Sequence, residues 1–282
     1  MKTNKFLTIA VTALILASCT NNNPVVDETK NTPITIASAC VSELTTRAIT
    51  DGKLVGTSDS HATMSVFVTG GTADKYNATN LKWEHDGTSW NSETNVLYEG
   101  ASSSQKIYAC SPYTTVTDNN ITVTATEQTD WLMATATDLT SSVVNLTMTH
   151  ALTKLVLKPT FGTELTSQTI TSVKVEGMYA SGTLNVFDNT WSDLPEANTI
   201  LAMANNELLV IPMESCTSLP ITITMEDARV FKTTINLATV DNKLEAGTQY
   251  NIALQIGQDK VTLGGINAEP WVPSTGGVLE TE

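Results

Sequence analysis

Arginine is almost missing from this sequence. Its 282 residues contain only Arg47 and Arg229, within a Lys-plus-Arg total of 15 set against 29 acids. The net charge of −14 repels phosphate backbones and argues against nucleic acid as a partner. Histidine is equally scarce, with His61, His85 and His150 alone. HExxH, GxSxG and glycine-rich phosphate loops do not occur. Adjacent acids such as Glu226 and Asp227 point to opposite faces of a strand and cannot jointly flank a scissile bond. Glu84, His85 and Asp86 cluster, yet they lack the alternating acids of a calcium loop and read as turn residues. No enzyme activity, catalytic residue, metal site or cofactor is therefore expected.

Long apolar runs are missing too. Beyond the first 19 residues none reaches the roughly 18 that a membrane helix needs. No segment keeps a helical period. Cysteine is limited to Cys19, Cys40, Cys110 and Cys216, with no CxxC and no Cys/His cluster, so neither a zinc site nor a disulfide scaffold is indicated. Cys110 and Cys216 read as small core residues. Whether Cys40, Cys110 and Cys216 form any bridge is left open by their spacing.

What is present starts at the N-terminus. Lys2 and Lys5 precede the short apolar stretch Phe6 to Ala17, which makes residues 1–18 a signal peptide. Leu16-Ala17-Ser18-Cys19 matches the lipobox of bacterial lipoproteins, in which the cysteine thiol is acylated. Cys19 is thus the expected lipid tether, and several acyl chains hold firmly at roughly 0.8 kcal/mol per buried methylene. Thr20 to Lys30 is polar and reads as a spacer. Pro33 to Val41 alternates and predicts a first strand. Arg47 then sits in the polar stretch Glu43 to Gly52, whereas Arg229 lies in the run Ala228 to Phe231 and is expected to be locked in a sheet. An arginine-specific protease would have one accessible target, Arg47–Ala48.

The rest is rich in threonine and in period-two alternation, which suits pleated strands. Val143 to Pro159 is the clearest case: Val144, Leu146, Met148, His150 and Leu152 share one face, then Leu155 and Leu157 continue out of phase. A bulge or kink near Ala151 to Lys154 is the expected cause, and Pro159 the expected stop. His150, on the apolar face, is expected to be a packed, hydrogen-bonded residue. Leu81 to Trp90 reads as a hairpin on Asp86-Gly87. Turn signals roughly every 8–12 residues predict an all-β chain of β-sandwiches. The boundaries expected are 19–47 for a lipidated propeptide with the first strand, 48–160 for one domain and 161–282 for a second.

Several landmarks, in order, resemble the fimbrillin family, the lipoprotein precursors of type V pilins. They are the lipobox at Cys19, Thr46-Arg47-Ala48, Trp83 with Trp90, Ile107 to Tyr113, and Asp130 to Ala134. Leu146 to Leu155, Ala246 to Ile252, and Ile266 with Trp271 follow. The resemblance implies two tandem β-sandwich-like (transthyretin-like) domains and an outer-membrane lipoprotein precursor cleaved after Arg47. It further implies loss of Pro33 to Val41 with the leader, and filling of the vacated groove by a neighbouring pilin's strand. The donor would lie within Lys260 to Leu279. Gly264-Gly265, Pro270, Pro273 and Gly276-Gly277 interrupt that stretch, which leaves stalk, tip and accessory positions open. Implied partners are other pilin subunits, the processing protease, the membrane through Cys19, and a host or bacterial surface ligand. The competing reading is an unpolymerised glycan-binding surface lipoprotein, which would display Trp83, Trp90 or Trp191.

Overall fold

A computed structural model describes residues 30–41, 49–50, 53–54, 56–57, 60–165 and 167–271. Alternating apolar and polar residues make strands of nearly all of it. The first half holds β1 (Thr35–Val41), β2 (Thr63–Thr69), β3 (Ala78–His85), β4 (Lys106–Ser111), β5 (Asn120–Thr124), β6 (Leu132–Asp138) and β7 (Val143–His150). The second holds β8 (Thr153–Phe161), β9 (Ile170–Met178), β10 (Ser181–Asn185), β11 (Thr199–Ala202) and β12 (Glu207–Val210). It continues with β13 (Ser218–Met225), β14 (Val230–Asn236), β15 (Thr248–Ile256) and β16 (Val261–Pro270). The only helical elements among the described residues are 3-10 turns of three residues. The chain is all-β, in a sandwich-like arrangement.

The first sheet runs Ile49–Thr50, Lys53–Leu54, β1, β7, β6, β4, β2, β3, Trp90–Asn91. Two four-stranded sheets, β12-β8-β15-β16 and β11-β9-β13-β14, belong to the second half. A small sheet joins β5 to β10 and Trp191–Ser192, linking the halves. One core takes Ile36, Val66, Ile107, Leu132 and Leu146 from one face of the first sheet. Phe67, Cys110 and Met133, which alternate with these, enter a second core with Val175, Ile221 and Ile252. Adjacent residues on β2, β4 and β6 therefore feed different cores, as a period of two requires.

The phase change after His150 is a change of sheet, not a bulge. β7 pairs with β1 and β6, whereas β8 pairs with β12 and β15. Only Ala151 and Leu152 separate the two strands, and each strand turns its apolar residues toward its own core. By pairing, β8 goes with the second half, although the sequence reading put residues up to 160 in the first.

Pro159 does not stop β8, which runs on to Phe161 in parallel register with β15. Leu157 N–H reaches Asn206 O at 2.8 Å on the β12 side, and β12 pairing ends at Val156. Pro159 is two residues further along that same side, where a missing donor breaks no ladder bond.

Arg229 is not inside a strand but in the turn between β13 and β14. It is nevertheless tied down. Its Nε donates to both Asp227 carboxylate oxygens at 2.9 and 2.8 Å, and Nη1 donates to Gln258 O at 3.0 Å. The guanidinium in turn holds the Asp227 carboxyl below its usual range.

Gly70 and Gly71 end β2 in a turn that no other residue fits. Gly70 has φ of +79°, and a Cβ there would lie 2.2 Å from Ser104 O; one on Gly71 would lie 2.4 Å from Tyr76 Cβ. Gly70→Ala is expected to cost about 3 kcal/mol, since strain and a backbone clash combine. Chemical denaturation checks this, and a loss below about 0.5 kcal/mol would contradict it.

Candidate functional site

β1 occupies an unusual place for the first described strand of a chain. It lies parallel to β7, with Thr35 and Ile36 opposite Val143 and Val144, and Ser38 to Val41 opposite Asn145 to Met148. A register shift at Ala37 lets Ile36 and then Ala39 and Val41 face the core. Together with Ile34 they cover Val144, Leu146 and Met148. On its other side, among the described residues, β1 pairs through Cys40 with Lys53. Ser38 Oγ donates to Asn145 Oδ1 at 2.7 Å across the β1–β7 ladder.

The segment before β1 is fastened as well. Pro33 bridges Leu97, Ile34 N–H donates to Val96 O at 2.9 Å, and Tyr98 N–H donates to Thr32 O at 2.8 Å. Residues 31–41 thus run along the 96–98 segment and then the β7 edge, and they belong to the chain upstream of Arg47. Cys19, Arg47 and Ala48 lie outside the described residues.

The far end of the chain is also an edge. Among the described residues β16 pairs only with β15 and is exposed along most of its length, with Leu263 uncovered and Val261 and Ile266 partly buried. Gly264-Gly265 does not interrupt it. The ladder steps from Ala253–Gly265 to Leu254–Leu263, so Gly264 is the extra residue of a bulge. Past Pro270, Trp271 turns inward and is only 2% exposed. Its ring stacks on His150 with centroids 3.6 Å apart and 11° between planes, and its backbone N–H donates to Gly247 O at 2.8 Å. Residues 272–279 of the expected donor lie outside the described residues.

His150 therefore has two partners that sequence reasoning missed. Besides Trp271, its Nδ1 lies 2.8 Å from Asp130 Oδ1, where a backbone group at a bulge was expected. Asp130 and Trp271 were both on the page as landmarks, but 141 residues separate the second from the first, and spacing carries no sign of the stack.

The other candidates fall into structural roles. Asp86 Oδ1 accepts Thr88 N–H and Ser89 N–H at 2.8 Å each, and His85 Nδ1 accepts Gly87 N–H at 3.1 Å, which makes this cluster the hairpin turn. Those amides hold the Asp86 carboxyl below its usual range. Trp83 and Trp90 are buried in the first core, and Trp191 is half-buried against the second. Cys110 and Cys216 are buried free thiols, and burial pushes Cys110 up to about 12.

The fold and this site define a class: an all-β protein whose first sheet is completed by its first described strand, β1. Solved structures share the fold. A candidate cell-adhesion protein of Bacteroides uniformis superposes with a TM-score of 0.65 at 19% identity, covering 85% of this chain and 98% of its own. A fimbrial protein of Bacteroides vulgatus gives 0.54 at 14%, covering 85% and 99%. The C-terminally truncated tip fimbrial protein Mfa3 of Porphyromonas gingivalis gives 0.52 at 8%, covering 85% and 100%. No curated protein sequence matches. The fimbrillin-like family profile matches residues 46–271, and the chain belongs to that family. It is a pilin subunit, a structural protein of surface fimbriae whose partners are other such subunits.

Proposed function

We propose that this pilin is exported as a lipoprotein on Cys19, cut between Arg47 and Ala48, and polymerised by strand exchange for adhesion at the outer membrane. The leader leaves with β1, and a strand from a neighbour's C-terminal region, within Lys260 to Leu279, enters the groove beside β7. The observation that carries this is the position of β1: deep in the first sheet, yet on the leader side of Arg47. An emptied groove presents an unpaired strand edge and an apolar stripe, which together template an incoming strand. β16 supports the donor assignment, being an edge strand that buries little where it lies. The protein acts as a building block and not as an enzyme. Buried Trp83 and Trp90 weigh against the unpolymerised glycan binder, which needs aromatic platforms in solvent.

Arg47→Ala tests the gate. The variant is expected to be folded, lipidated and monomeric, because Arg47 sits in the polar stretch Glu43 to Gly52 and surface changes stay within about 0.5 kcal/mol. Detergent-resistant ladders from this variant on gels would show that arginine cleavage does not gate assembly.

A further inference from the structure

The segment entering β1 is held by a second, polar site. Asn31 Oδ1 accepts from Lys75 Nζ at 2.7 Å and from the Tyr76 hydroxyl at 2.8 Å. Asn31 N–H donates to Tyr98 O at 2.9 Å, which continues the bonds of Thr32 and Ile34 to the same segment. Lys30 and Lys75 both lie over the Tyr76 ring, 5.5 and 4.8 Å from its centroid.

The receiving side of this contact does not depend on the leader for its shape. Gln105, 1% exposed, donates through Nε2 to Tyr76 O at 2.7 Å and Leu97 O at 3.0 Å. Its Oε1 accepts Glu99 N–H at 2.6 Å. One buried amide therefore ties Tyr76, Leu97 and Glu99 together. The Thr72 hydroxyl and amide separately hold the Glu99 carboxylate. Removing residues up to 47 leaves all of these Gln105 and Thr72 bonds intact; it takes away Lys30, the acceptor on Asn31 and the partners of the 96–98 backbone.

We propose that Lys75, the Tyr76 hydroxyl and the 96–98 backbone form a recognition site that reads the side chain in the Asn31 position, and that it selects a neighbouring subunit's strand carrying Asn, Asp or Glu there. This rests on the strand-exchange reading above. An apolar side chain would leave the phenol of Tyr76, a buried residue, without an acceptor. A cation would meet the Lys75 ammonium. A carboxylate or amide satisfies both donors, and carboxylates abound in a chain with 29 acids against 15 bases. The stretch assigned as donor carries Asn267 and Glu269, so a second copy qualifies.

The test uses full-length protein nicked after Arg47, with the leader fragment still in its groove. A fluorescent synthetic peptide of residues 30–41 is added, and its rate of replacing the fragment is measured. Asn31→Leu in the chain is expected to speed replacement about tenfold or more, while Asn31→Asp is not. Asn31 has a φ of +75°, which Leu tolerates poorly, so in a Lys75→Ala/Tyr76→Phe background Asn31→Leu is expected to keep only that backbone effect, well below its effect in the wild-type background. A wild-type rate for Asn31→Leu, or an undiminished effect in that background, overturns the recognition site while leaving strand exchange standing. If no peptide enters in any variant, strand exchange itself is overturned, and the recognition site falls with it.

Discussion

A chain beginning at Ala48 is expected not to persist as a folded monomer. The missing strand supplies about six ladder hydrogen bonds at roughly 1 kcal/mol net each. It also supplies the burial of Ile34, Ile36 and Val41, at about 2 kcal/mol each. Ordering the seven residues of the strand offsets part of this, at about 1 kcal/mol per residue. What decides the outcome is the groove left behind: Val144, Leu146 and Met148 lose their cover, and β7 becomes an open edge. The net loss is expected to be about 5 kcal/mol, comparable with the whole stability of a small domain. Size-exclusion chromatography should show aggregates or oligomers, and a peptide of residues 30–41 supplied in excess should restore a monomer. A monomeric Ala48 chain that melts within about 3 °C of the full-length protein would contradict the proposed role of β1.

His150→Ala is the second large effect expected. The substitution removes a ring stacked on Trp271 and leaves the Asp130 carboxylate, whose side chain is 10% exposed, without its partner. Large-to-small loss and an unpaired buried carboxylate each cost several kcal/mol alone, and a combined loss of about 3–5 kcal/mol is expected. The stack also secures the end of β16, so Trp271 should become accessible along with the loss of stability. Denaturant unfolding measures the first, and quenching of Trp fluorescence by acrylamide tests the second. His150→Gln should retain part of the stability by keeping a hydrogen-bonding atom toward Asp130. An unchanged unfolding midpoint in His150→Ala, accompanied by loss of a stoichiometric bound metal, would overturn the structural role.

Which side of a residue faces a core was legible in the sequence, because period two is a local property. Ile36, Val144, Leu146, Met148 and His150 are buried where alternation put them, and the Asp86-Gly87 hairpin closes where turn chemistry required. The order of landmarks was enough to reach the fimbrillin family, whose profile covers 46–271. Alternation does not say which strand lies alongside, however, and that is where expectations shifted. The out-of-phase residues after His150 are explained by a second sheet, not by a bulge in the first. Pro159 survives within a strand because β12 is too short to need its donor. The Gly264-Gly265 pair bends a strand by one extra residue without ending it. Only the tertiary structure set β1 against β7, Trp271 against His150 and Asn31 against Lys75. Each of those contacts joins residues at least 44 positions apart in the sequence, and each is selected by the shape of a groove or pocket that many other segments build.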